Sequence, residues 1–151
     1  MLTAILLSGC MGVKTPPVSL PATPAIFVEY YRSGGLAGLD DRMVIFDNGV
    51  TVLSTKSESH EFVLNQSDLE RLTSLFDYGP FWVLESNYTA RRGSADYIKY
   101  TIRYHGKTVY TEDSAIPSSL DPVIDDLDRI IRLGLSQAAS QPTSTLVAIP
   151  K

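Results

Sequence analysis

Residues 42–55, Arg42-Met43-Val44-Ile45-Phe46-Asp47-Asn48-Gly49-Val50-Thr51-Val52-Leu53-Ser54-Thr55, decide how this chain is read. Two runs of β-branched and apolar residues flank an Asn-Gly pair. Both central positions of a type I′ turn need positive φ, so Asn48-Gly49 predicts a tight hairpin joining a strand over 42–47 to one over 50–55. Before it, Ala25 to Arg32 (AIFVEYYR) reads as a strand, and after it His60 to Leu64 (HEFVL) could add a further short one. A glycine-rich loop, Ser33-Gly34-Gly35-Leu36-Ala37-Gly38-Leu39-Asp40, connects the first strand to the hairpin.

The periodicity then changes. Ser67-Asp68-Leu69-Glu70 predicts a capping box, with Ser67 as N-cap and Glu70 reaching back to it. Leu69, Leu72, Leu75 and Phe76 follow at helical spacing, and Gly79-Pro80 stops the helix. Phe81 to Leu84 is a short apolar segment, and Asn87 to Asp96 a polar loop. Residues 97–104 alternate strictly, Tyr97, Lys99, Thr101 and Arg103 against Ile98, Tyr100, Ile102 and Tyr104. His105-Gly106 turns this strand into another over 107–112. Ser118 to Leu133 predicts a final helix, with Pro117 and Pro122 at its start. Its apolar stripe is Val123, Ile124, Leu127, Ile130 and Ile131, and Gly134 is the expected C-cap. Hairpins and helices are segregated, which gives an α+β fold: an antiparallel sheet of about five strands with two helices packed on one face.

Composition narrows the function. Hydrophobic residues make up 44% and charged residues 20%, the balance of a globular chain. A net charge of −4 argues against a nucleic-acid partner. No second apolar run approaches the roughly 20 residues that cross a bilayer. With a single cysteine, Cys10, no internal disulfide is available, and the folded domain over 25–135 must rest on its core.

The N-terminus carries an address. Leu7-Ser8-Gly9-Cys10 follows the apolar Ala4-Ile5-Leu6-Leu7 and resembles the lipobox of prokaryotic lipoproteins. The resemblance implies that residues 1–9 are a leader that is removed, and that the Cys10 thiol carries diacylglycerol. The chain would then be held on a membrane of the cell envelope, facing outside the cytoplasm. Residues 11–24, with Pro16, Pro17, Pro21 and Pro24, form an extended spacer between Cys10 and the domain. At the other end, residues 136–151 are rich in Ser, Thr, Gln and Ala and read as a flexible tail.

Three further stretches, in order, resemble the emfourin family. They are Arg32-Ser33-Gly34-Gly35-Leu36-Ala37-Gly38-Leu39, the pair Phe81-Trp82, and Asp113-Ser114-Ala115-Ile116-Pro117-Ser118-Ser119-Leu120. Emfourins are small protein inhibitors of thermolysin-like zinc metallopeptidases, so the resemblance implies a metallopeptidase partner and no catalysis. The chain departs from that family in its Asn48-Gly49 region, lipobox, spacer and tail.

The residues are consistent with a chain that is not an enzyme and takes no cofactor. His60 and His105 are the two histidines, and neither comes with the three ligands of a catalytic zinc, so both read as solvated turn residues with no metal. Asp125, Asp126 and Asp128 read as the solvated face of the last helix. Two surfaces stand as protein-contacting candidates. One is the loop Ser33, Gly34, Gly35, Leu36, Ala37 and Gly38, which could lie along an extended protease cleft and present Leu36; its other use is a tight connection with Leu36 tucked into the core. The second is Arg91-Arg92, an adjacent basic pair in an acidic chain, suited to a carboxylate-rich partner or anionic headgroups. Beside the inhibitor reading stands an alternative: an envelope lipoprotein that binds another component through a sheet edge or the arginine loop, without inhibitory activity.

Overall fold

The expected hairpin forms with a different turn. In a computed structural model that describes residues 23–90 and 96–140, β2 (Leu39–Phe46) pairs antiparallel with β3 (Val50–Ser54), Ile45 opposite Thr51 and Val44 opposite Val52. Among the described non-glycine residues only His105 has positive φ, so in this turn Asn48 keeps a negative φ and Gly49 alone, at φ 85°, turns left-handed. The Gly49 N–H donates to the Phe46 carbonyl at 2.9 Å. Asp47, Asn48 and Gly49 thus make a three-residue connection, in which Asn48 Oδ1 accepts the Val50 N–H at 3.1 Å. The turn with two positive φ values occurs instead at His105 (42°) and Gly106 (84°), between the paired Tyr104 and Lys107.

The remaining strands are β1 (Ile26–Gly34), β4 (Ser59–Val63), β5 (Asn87–Tyr88), β6 (Ile98–Tyr104) and β7 (Lys107–Glu112). They make one seven-stranded sheet in the order β4-β3-β2-β1-β6-β7-β5. This exceeds the expected five. β4 adds an edge on one side, and two residues of the supposed polar loop pair with β7 as the parallel strand β5. All other neighbours are antiparallel.

One face of the sheet is buried. Val28 and Tyr30 of β1, Met43 and Ile45 of β2, Leu53 of β3, Phe62 of β4 and Tyr100, Ile102 and Tyr104 of β6 share a core with both helices. Helix α1 (Gln66–Asp77) contributes Leu72 and Phe76, and α2 (Asp121–Ser140) contributes its whole apolar stripe. Tyr104 ties α1 to the sheet: its ring stacks on Phe76 at 4.3 Å and its hydroxyl donates to Asp77 Oδ1 at 2.6 Å. Phe81, in a 3₁₀ turn over Pro80–Val83, closes the same aromatic cluster.

Both helix ends differ from expectation. The N-cap of α1 is Asn65, two residues earlier than Ser67; its Oδ1 accepts the Asp68 N–H at 2.9 Å and the Ser67 hydroxyl at 2.7 Å. Glu70 accepts from Gln66 Nε2 instead of reaching back. Helix α2 does not stop at Gly134 but runs to Ser140, taking in the first residues of the expected tail. Gly134 lies on the buried stripe, and a Cβ there would sit 2.4 Å from the Phe62 ring. The glycine permits close approach of α2 to β4 rather than ending the helix. The leader, Cys10, the spacer up to residue 22, and residues 141–151 lie outside the described residues.

The helices are also joined by charge. Asp68 and Asp126 are buried, at 6% and 8% exposure, and each meets both Arg71 and Arg129. Arg71 Nε and Arg129 Nε both donate to Asp126 Oδ1 at 2.9 Å, and Arg129 Nη2 donates to Asp68 Oδ1 at 2.9 Å. Burial holds the Asp126 carboxyl above the ordinary carboxylate range, against the opposing pull of Arg71, and Asp126 Oδ2 has no hydrogen-bond partner.

Two stability outcomes are expected. Gly134→Ala would stabilise an exposed helix by about 1 kcal/mol, but here it should cost about 1–3 kcal/mol by overpacking against Phe62, and Phe62→Leu should offset part of that loss in a double-mutant cycle read by urea unfolding. The double variant Arg71→Ala/Arg129→Ala should lose about 2 kcal/mol, less than a fully buried pair because the arginines are partly exposed. Its Asp126 would rise further, binding its proton more tightly in the native than in the unfolded state. The loss against wild type should therefore be smallest below about pH 4, the unfolded carboxylate value, and grow as pH rises through the raised one. Melts at pH 4 and pH 7 would check the sign.

Candidate functional site

The glycine loop is a built turn. β1 and β2 stay paired as far as Gly34 opposite Leu39, leaving Gly35, Leu36, Ala37 and Gly38 to reverse the chain. Gly34, Gly35 and Gly38 have φ of 93°, 69° and 59°. The Gly38 N–H donates to the Gly35 carbonyl at 2.9 Å, and the Gly35 N–H to the Tyr97 carbonyl at 3.3 Å. A Cβ at Gly34 would stand 2.6 Å from the Tyr97 oxygen, so glycine is required there twice over, by φ and by space. Ser33 and Gly34 belong to the strand. The loop is therefore not extended, as a segment lying along a cleft would be. It is a tight connection that still presents its side chain: Leu36 is 93% exposed rather than tucked into the core.

A polar cluster braces the strands below this turn. Arg32 follows Val28 and Tyr30 on the helix-facing side of β1, where a charge needs partners. Its Nε donates to Asp41 Oδ2 at 2.8 Å, directly across on β2, and its Nη1 lies 3.0 Å from Asp128 Oδ1 on α2. Burial pulls the Arg32 guanidinium down, but the Asp41 hydrogen bond and the charges of Asp128 and Asp41 outweigh it and keep it cationic. The Tyr30 hydroxyl donates to Asp128 Oδ1 at 2.8 Å, and its pKa is raised by burial first and by Asp128 second. Tyr100 stacks on Tyr30 with centroids 6.3 Å apart and is raised by the same two causes. Both tyrosines therefore hold their protons, and Tyr30 serves Asp128 as a hydrogen-bond donor.

Other candidate residues fall apart from this end. His105 sits exposed in its turn, packed edgewise on Tyr104, at the opposite end of β6. His60 is less solvated than expected: its Nε2 lies 3.1 Å from Glu58 Oε2, beside a cleft of about 210 Å³ lined by Ser59, Phe62, Gly134, Gln137 and Ala138. Among the described residues no group of His, Cys, Asp or Glu could hold a metal ion. Nor is any helix among them long and apolar enough to cross a membrane. Cys10, Arg91 and Arg92 lie outside the described residues.

The acidic run on α2 divides three ways. Asp125 is exposed as expected, but Asp126 is buried in the arginine network and Asp128 serves Tyr30 and Arg32. Sequence signals for both exist. Asp126 stands three residues after Val123, on the apolar stripe, and Asp68-Leu69-Glu70-Arg71 is echoed by Asp126-Leu127-Asp128-Arg129. Arg32 is marked by its place in the alternation of β1.

Against known proteins, no family model matches the sequence and no curated protein does.

The turn separates stability from presentation. Gly34→Ala should unfold or strongly destabilise the domain, while Leu36→Asp should leave the melting temperature unchanged to within about 0.5 kcal/mol of stability, as for an exposed side chain. Thermal melts followed by far-UV circular dichroism would check both.

Proposed function

We propose that the chain is a non-enzymatic, emfourin-like lipoprotein of the cell envelope, anchored through diacylglycerol on Cys10, whose Leu36 turn engages a thermolysin-like metallopeptidase outside the cytoplasm. The observation that carries this reading is Leu36, 93% exposed on a turn fixed by three glycines and braced by Arg32. A bulky aliphatic side chain on a backbone already held in place spares the loop's ordering cost on entering a pocket. Its setting adds to this. The described chain enters at the start of β1, and nine strand residues at about 3.3 Å each put the turn roughly 30 Å away at the other end. A domain tethered from its N-terminus would thus hold Leu36 away from the membrane. What meets the enzyme is a knob on a turn, which suits a side-chain pocket better than a substrate-like strand.

The alternative, an envelope-binding module without inhibitory activity, has one observation of its own. β4 ends the sheet order and pairs with β3 along one side, leaving an edge that could take a strand.

Titrating the chain from residue 11 onward into a thermolysin-like protease distinguishes the two. Stoichiometric, active-site-competitive inhibition is expected, weakened about 30-fold or more by Leu36→Asp, the loss of a central anchor. Plain digestion, no effect, or equal inhibition by a folded Leu36→Asp protein would remove the proposal.

A further inference from the structure

The exposed apolar side chains are unevenly placed. Seven large ones stand out among the described residues: Ile26, Tyr31, Leu36, Val63, Tyr78, Trp82 and Val83. Leu36 caps one end of the sheet, and Tyr31 lies on its outer face with its hydroxyl on Asp40. The other five gather at the opposite end. Ile26 opens β1 opposite Phe46, and Val63 closes β4 opposite Val50, beside the Gly49 turn. Tyr78, 89% exposed, follows Asp77, which the Tyr104 hydroxyl holds at the end of β6. Trp82 lies 5.6 Å from the Tyr104 ring, and Val83 beside it is 83% exposed. Lys107 Nζ donates to the carbonyls of Trp82 and Leu84 at 2.6 and 2.7 Å, which fixes this 3₁₀ turn with Phe81 inward and Trp82 and Val83 outward.

This end is also where the chain leads toward Cys10. Twelve residues, 11–22, separate that cysteine from the first described residue, Thr23. At about 3 Å per residue they span at most roughly 40 Å. A short tether of this kind raises the local concentration of a surface to about millimolar, so a patch too weak to bind alone can dock once anchored. We infer that Tyr78, Trp82 and Val83, with Ile26 and Val63, form a membrane-contacting end that rests on the bilayer interface when the chain is anchored at Cys10. Amphipathic aromatic rings favour that interface. Asp47, Asp77 and Glu85 stand exposed at the same end and select a zwitterionic surface over an anionic one.

The inference rests on the Cys10 anchor, and the test supplies that anchor chemically. Cys10 is the one thiol and Trp82 the one tryptophan, so tethering and readout need no added labels. The chain beginning at Cys10 is coupled to phosphatidylcholine vesicles carrying a maleimide lipid. Expected on coupling are a blue shift of Trp82 emission, quenching by brominated acyl chains, and at least a two-fold fall in quenching by iodide. Tyr78→Ser/Val83→Ser, coupled equally and melting like wild type, should lose these changes. Emission and iodide quenching that stay as in free protein would overturn the inference, as would changes that survive the double substitution. The same shift in free protein without vesicles would also overturn it, by making a second copy the occupant. Whether cells lipidate Cys10 is read separately, from the mass of the native N-terminus, so failure of the anchor and failure of the docking surface remain distinct.

Discussion

β1 is hydrogen-bonded along both edges, to β2 through residues 26–34 and to β6 through residues 28–34, and its register governs everything packed on the sheet. A slip of one residue would turn Val28 and Tyr30 to solvent and bring Glu29 and Tyr31 against the helices. The next helix-facing residue is Arg32. The same slip would carry its guanidinium away from Asp41 on β2 and Asp128 on α2 and leave the buried Asp41 without its cation, which costs far more than a lost apolar contact. The outer face is held in the same alignment by Glu29, which meets both Arg42 and Arg103 from its two neighbouring strands.

Buried charge is used here for position more than for strength. The Asp68–Arg71–Asp126–Arg129 ring sets α1 beside α2, yet Asp126 keeps one oxygen without a partner and a carboxyl shifted up by burial. An apolar contact of equal size would serve stability as well or better. What the ring adds is a direct tie between the two helices, each aspartate meeting an arginine of both. The aromatic cluster around Tyr104 then fixes the end of α1 against the sheet.

These constraints give the domain two unlike ends. At one, glycines and the Arg32 brace hold a turn that projects Leu36. At the other, where the chain enters, aromatic and aliphatic side chains lie open around the 3₁₀ turn. In the proposed reading the first end works on a partner and the second rests on the surface that carries the anchor. The same strand, β1, links them and sets their distance.

Much of this was legible from the residues themselves. Alternation in 97–104 named the buried face of β6 correctly, because strand side chains have a period of two whatever they pack against. Hairpin positions and both helices followed from local preference in the same way. Turn geometry at Asn48-Gly49 did not, since the three-residue form satisfies the strands equally and uses the Asn48 side chain as an acceptor. Contacts distant in sequence decided the rest. Gly134 looked like a helix stop and became a packing site because Phe62, 72 positions earlier, occupies the space a Cβ would take. Asp126 and Asp128 looked solvated and became a buried and a half-buried partner because Arg71, Tyr30 and Arg32 reach them from other elements. Local pattern alone was enough to place the long strands and the two helices and to name their apolar stripes, but not the short strand β5, the last turns of α2 or the burial of Asp126. Only the tertiary structure decided which charges are paired and that Leu36 is presented, because those depend on what stands opposite each side chain once the sheet and helices have met.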